Sequence, residues 1–334
     1  MDNVSLTNSN GKTWLANDAK EVLKPGKSCP LHYRYLPSVF LGKPTLDAET
    51  LYVVGGLYGN PFALKEVQRM AAEEAGPTTI VFNGDFNWFN VDDSDFLGIN
   101  RSVLANVALR GNVETELATV DDSAGCGCAY PDSVSDDDVH RSNLIMAKLR
   151  ETAHRFPELA MKLGELPMYA TAQVGDVRIG IVHGDAHSLA GWQFDVSALD
   201  NPINREQIQT VFFESQLDGF ACSHTCLPAL RQFSDERNTR WIINNGAAGM
   251  PNFSDTQFGL LSRISIHAPR RSQSAYGIRS KDTFVDAVPI RYDYRNWREM
   301  FLANWPVGSA GHTSYWDRIA CGPDYPIYRG VPEH

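Results

Sequence analysis

Thr78-Thr79-Ile80-Val81-Phe82-Asn83-Gly84-Asp85 is the stretch on which the fold turns. Its run of β-branched and aromatic residues predicts a buried strand over 78–82, and Gly84-Asp85 predicts a sharp turn just beyond its carboxyl end. Upstream, Leu51-Tyr52-Val53-Val54 is a second apolar run that ends in Gly55-Gly56. Pro61 opens a helix, with Leu64, Val67, Met70, Ala71 and Ala75 on its apolar face, and Gly76-Pro77 stops it. Downstream, a helix is expected from Phe96 to Asn106, and a short strand leads into Arg110-Gly111. This strand–helix–strand rhythm predicts α/β architecture with parallel pairing in part of the sheet. A helix from Asp138 to His154 follows. The runs Met168–Val174 and Val177–His183 form a hairpin around Gly175-Asp176. Further strands are expected at Phe220–Ser223, Trp241–Asn244 and Leu260–Ile266. Asp136, Asp137 and Asp138 read as the favourable acidic first turn of their helix. Gly311-His312-Thr313 reads as a surface loop.

The chain has 334 residues, 43% of them hydrophobic and 21% charged, which allows a sizeable core and excludes wholesale disorder. Its net charge of −10 argues against non-specific nucleic-acid binding. No apolar run is long enough to cross a membrane. The first residues lack a basic segment followed by an apolar one, so a cytoplasmic protein without a membrane partner is expected. The six cysteines then read as reduced thiols or metal ligands, not as a disulfide frame. Three segments are expected: an N-terminal arm over 1–48, a main domain over 49–268 with a Gly/Cys/Asp-rich loop at 118–138, and a C-terminal extension over 269–334, rich in tryptophan and phenylalanine and packed on that domain.

Ligand-type residues recur just after the strands: Asp85, Asn112, His183 and His224. In open α/β sheets, ligands bind outside the carboxyl ends of strands. One carboxylate, one amide oxygen and two imidazoles suit a borderline divalent metal (Mn, Fe, Co or Zn) better than Ca or Mg. Taken singly, a Gly-Asp pair is turn chemistry and a buried histidine is a satisfied core residue. The ordered set reads otherwise.

Gly84-Asp85, Gly111-Asn112, His183-Gly184 and His224-Thr225 before Asn244-Asn245-Gly246, in that order, resemble the calcineurin-like metallophosphoesterases, with the closest similarity to the small bacterial phosphodiesterases. The resemblance covers about 50–270, including Gly59-Asn60-Pro61-Phe62 after the first strand. It implies a single four-layer α/β/β/α sandwich with terminal extensions. It also implies a metal-dependent phosphoesterase that cleaves a phosphate mono- or diester of a small molecule with metal-activated water. Asp85, Asn112, His183 and His224 would carry the catalytic and metal-binding roles.

The family normally binds two metals, and the ligands of the first would come from Gly56, Tyr58 and Cys226. A glycine cannot bind, a phenol binds only as phenolate, and a thiol is a soft ligand. The first site is therefore expected to be weak or empty, with an atypical or mononuclear centre, or else rebuilt from Cys226 with Tyr58, Cys126 and Cys128, giving one or two ions in all. The residue after Asn112, a leaving-group histidine in many relatives, is Val113, and Asp185 and His187 are candidate substitutes. Arg110 and His187 are candidate substrate contacts. Two other classes remain open: a non-catalytic scaffold that keeps the fold for binding, and a thiol-based metal or redox sensor using Cys126, Cys128 and Cys226.

Overall fold

Thr50–Val54 is buried along its whole length, which is why it reads as a continuous apolar run: a strand covered on both faces has no solvent side to alternate toward. The computed structural model describes residues 24–234, 239–270 and 273–331, so residues 1–23 of the expected N-terminal arm lie outside them. In chain order the elements are β1 (Leu46–Asp47), β2 (Thr50–Val54), α1 (Pro61–Ala72), β3 (Thr78–Asn83), α2 (Asp93–Val103), β4 (Val107–Leu109), α3 (Asn112–Ala118), α4 (Asp136–Ala153) and α5 (Pro157–Glu165). They continue with β5 (Tyr169–Val174), β6 (Val177–Val182), α6 (Val196–Leu199), α7 (Arg205–Ser215), β7 (Gly219–Cys222), β8 (Ala229–Ser234), β9 (Thr239–Asn244), β10 (Gly259–Ser265), β11 (Tyr276–Ser280), β12 (Thr283–Ile290), α8 (Tyr294–Asn304) and α9 (Ala310–Cys321).

Among the described residues the strands form two six-stranded sheets, ordered β11-β12-β10-β2-β3-β4 and β1-β5-β6-β7-β9-β8. β2, β3 and β4 run parallel, as do β6, β7 and β9. Their carboxyl ends therefore open on one edge of the molecule. Successive strand residues point to opposite faces, and the core divides accordingly. Leu51, Val53, Val81 and Leu109 join Ile179, Ile181, Ala221 and Ile243 in one apolar cluster between the sheets. Tyr52, Val54 and Phe82 join Leu64 and Val67 of α1 and Ile145 and Leu149 of α4 in the other. This is the four-layer α/β/β/α sandwich expected from the sequence.

Two features differ from the sequence reading. Gly311-His312-Thr313 is no loop: it opens α9, where Ser309 Oγ accepts the His312 N–H at 3.3 Å. The segment after residue 268 is also more than a packed tail, because β11 and β12 extend the first sheet beyond β10. Trp297, Phe301 and Trp305 are buried and pack around Phe89, which brings α8 and α9 up to the strand ends.

Candidate functional site: a cluster of acceptor atoms at the strand ends

Each ligand-type residue follows a different strand. Asp85 follows β3 in a left-handed conformation (φ 51°), after Gly84 at φ 76°. The glycine is required there on two counts. An L-residue is strained at that φ, and a methyl at position 84 would lie 2.6 Å from both Gly111 Cα and His183 Nδ1. Asn112 opens α3, His183 follows β6, and His224 lies just past β7. Asn83, the last residue of β3, ties the two sheets together: its Nδ2 donates to Val182 O at 2.6 Å.

The donor atoms converge. His183 Nε2 lies 3.3 Å from Asp85 Oδ2, 3.1 Å from Asn112 Oδ1 and 3.2 Å from His224 Nδ1. Ligands at about 2.0–2.2 Å from one metal are roughly 3.0–3.5 Å from their neighbours. All three titratable members are buried.

What surrounds these atoms settles their protonation. His183 Nδ1 faces Asn83 O at 2.9 Å, and His224 Nε2 faces Cys128 O at 3.0 Å. A carbonyl can only accept, so each of those nitrogens carries the proton and the opposite nitrogen turns a lone pair inward. Asn112 Nδ2 donates to Cys126 O at 2.9 Å, which points its oxygen inward too. The Val113 N–H occupies Asp85 Oδ1 at 3.2 Å and leaves Oδ2 for the cluster. Four lone-pair-bearing atoms thus meet with no donor among them. Such an arrangement is stable only around a cation, either a proton or a metal.

Electrostatics follow from this geometry. Burial opposes charge on His183, but Asp85 outweighs it and holds the imidazole above its ordinary pKa. Burial would raise Asp85, and His183 with His224 brings it below the carboxylate range instead. His224 is pushed down to about 4 by burial and then by His183. A proton on His183 therefore competes with a cation for the same space. Metal affinity is expected to weaken about tenfold per pH unit below the raised His183 pKa, with about one proton released per cation bound. Calorimetry in buffers of different ionisation heat measures both, and an affinity that stays flat between about pH 5 and 6.5 contradicts the assignment.

Sequence reading overlooked Glu114. It is fully buried and accepts from the backbone N–H groups of Asp85 (2.8 Å), Gly111 (3.0 Å) and Asn87 (3.2 Å). It thereby holds both ligand turns in one grip. Its carboxyl is raised to about 7, by burial and then by Asp85. The available signal was its place at the third position of a helix that starts from Gly111, the reach-back position of a capping box.

The other expected residues are distributed as follows. Tyr58 and Cys226 lie beside the cluster and meet each other, with Oη and Sγ 2.8 Å apart. A methyl at Gly56 would lie 2.8 Å from Tyr58 Cε2, so the phenol ring covers the space into which a side chain at 56 would project. Burial raises the Tyr58 phenol well above its ordinary pKa and raises the Cys226 thiol as well. Both stay protonated at neutral pH. Cys126 and Cys128 are joined in a disulfide, which corrects their reading as reduced thiols and as metal-binding candidates. Their contribution is the pair of backbone carbonyls that orient Asn112 and His224.

Arg110 and His187 are not at the site. The Arg110 guanidinium bonds Gly164 O and faces a separate cavity with His32. Asp185 is consumed by a turn, accepting from the backbone of His187, Ser188 and Gln193. Val113 does line the site, and no proton donor replaces it from those positions.

The cluster opens into a cavity of about 190 Å³ walled by Tyr58, Trp88, Tyr130, Trp192 and Tyr315, with Arg318 at its side. Tyr315 and Arg318 both come from α9. Among the described residues no helix is long and apolar enough to cross a membrane.

No protein-family model matches the chain, and no curated protein matches it. Its structure is similar to that of a metallophosphoesterase from Sphaerobacter thermophilus, with a TM-score of 0.52 and 15% identity over 82% of this chain and 100% of that one. It is similar as well to a hypothetical protein from Pyrococcus horikoshii OT3, with a TM-score of 0.53 and 14% identity over 82% of this chain and 99% of that one. At such identities the likeness is one of fold.

Proposed function

We propose that this chain, which has the metallophosphoesterase fold, is a phosphoesterase that works with one divalent transition metal held by Asp85, Asn112, His183 and His224. The observation that carries the reading is the meeting of four inward lone pairs on His183 Nε2 with no donor among them. A bound cation would supply Lewis acidity toward a phosphoryl oxygen and a water-derived nucleophile at neutral pH. The mixed oxygen and imidazole donors suit Mn, Fe, Co or Zn.

The protein's own part is positioning. Asn83 O and Cys128 O keep both imidazoles in the tautomer that faces the cation. Glu114 holds the Asp85 and Asn112 turns together. The aromatic walls Tyr58, Trp88, Tyr130, Trp192 and Tyr315 bound the space beside the cluster in which the ester would sit. A single ion is favoured because the Tyr58 ring lies against Gly56 and its hydroxyl bonds Cys226, so the second ligand set is spent on packing.

Elemental analysis of chain purified without chelator or affinity metal tests this directly. About one equivalent of transition metal per chain, with hydrolysis of an aryl phosphate, is expected. Two equivalents would show that a second site has been rebuilt, and none after incubation with each ion would favour the scaffold reading. Val113 cannot protonate a leaving group, so aryl esters are expected to turn over at least about 100-fold faster than alkyl esters of the same charge. Equal kcat/KM for the two would show that another residue donates the proton.

A further inference from the structure

Arg318 stands out among the cavity residues because it has no counter-ion. Its Nε donates to Pro251 O at 3.1 Å, and its Nη2 to Cys226 O at 2.8 Å and Asn252 Oδ1 at 3.5 Å. Among the described residues Nη1 has no acceptor and no carboxylate pairs with the guanidinium. Three acceptors therefore fix the plane of the fork and leave one arm over. A guanidinium held rigidly without an anion, in a small cavity that it shares with Asp85, Asn112 and His224, is a preformed half of an ion pair.

Charge decides which anion completes it. In the substrate-binding state, with the nucleophile still a neutral water, a divalent cation together with the Asp85 carboxylate has a net charge of one positive. A phosphodiester, a monoanion, neutralises that by itself. A phosphate monoester dianion leaves one negative charge over, and among the described residues the opposite wall, where Tyr58 meets Cys226, brings no lysine or arginine to take it. Arg318 supplies the missing positive charge. Resting on the phosphoesterase reading above, we infer that Arg318 clamps a non-bridging phosphoryl oxygen and makes phosphate monoesters, rather than diesters, the substrates of this site. The specificity is electrostatic, and it comes from α9, outside the segment that holds the metal ligands.

The test compares metal-loaded wild type with Arg318→Gln and Arg318→Lys on p-nitrophenyl phosphate and bis(p-nitrophenyl) phosphate. Inorganic phosphate affinity is measured on the same proteins by calorimetry, with metal content checked in each. Arg318→Gln is expected to lower kcat/KM for the monoester about 100-fold and for the diester less than about 5-fold, as loss of one charged clamp implies. Its phosphate affinity should fall at least about tenfold while metal content stays unchanged. Arg318→Lys, which keeps the charge without the fork, should fall between wild type and Gln, and it carries the test if the Gln variant does not fold. Equal losses on both esters would mark Arg318 as merely structural and overturn the inference, as would unchanged phosphate affinity. If wild type hydrolyses neither ester yet binds phosphate in an Arg318-dependent way, the clamp stands and the phosphoesterase reading fails. If phosphate binding is also indifferent to Arg318, both fail.

Discussion

Asp85→Asn is expected to empty the site of metal and to lower ester hydrolysis by about three orders of magnitude, with the fold intact. The fold should survive because an Asn oxygen can still accept the Val113 N–H that Asp85 Oδ1 accepts now. The cation is lost for two reasons. The single negative charge of the cluster disappears, and the amide NH₂ is turned toward His183 Nε2, which sits 3.3 Å from Oδ2 in the native protein. A donor then fills the space between the imidazoles. Metal content, hydrolysis and far-UV circular dichroism on one preparation decide the matter. The same variant separates an enzyme from a scaffold: a scaffold would keep its partners with Asn at 85, and an enzyme would lose turnover. Retention of both metal and activity would remove Asp85 from the site.

Glu114→Ala should be the most destabilising single change at the site, by about 3–5 kcal/mol. Glu114 is fully buried and collects the N–H groups of Asp85, Gly111 and Asn87. Truncation leaves those donors in the interior with no acceptor and no route to water. Tm is expected to drop by roughly 4–7 °C for a chain of this length, and metal affinity should fall with it because both ligand turns relax. Glu114→Gln should retain part of the stability, as one amide oxygen can still serve Asp85 and Gly111 while its NH₂ opposes the Asn87 donors. A loss of less than about 1 kcal/mol for the alanine variant would show that the turns hold themselves.

Much of this molecule is legible in the chain. Strand β2 announces itself because both faces are covered, so Leu51–Val54 is apolar without a break, and β3 by the run Ile80-Val81-Phe82, whose last two residues are buried. Asp85, Asn112, His183 and His224 were findable for a related reason: parallel strands place the residues after them on one edge. Arg110 shows where that logic ends. It lies next to Gly111 in the chain, yet its backbone leaves β4 in a direction that sends the guanidinium to Gly164 O. Sequence proximity to a motif says nothing of side-chain direction. Arg318 is the converse case, more than 90 residues in sequence from the nearest residue of the cluster and in the same cavity. The cysteine pair followed the same pattern: Cys126 and Cys128 act through carbonyls, which every residue has and no composition reveals.

Most of the strands between 50 and 266, the turns at Gly84-Asp85 and Gly111-Asn112 and the ligand-type residues that follow the strands were legible in the sequence alone, because each depends on local periodicity and on residue chemistry within a few positions. Only the tertiary structure decided how those donors are protonated, that the Tyr58 ring covers Gly56, and that α9 brings a guanidinium to the cavity. These depend on contacts between segments far apart in the chain. Such contacts are set by packing across the whole sandwich, and no local pattern encodes them.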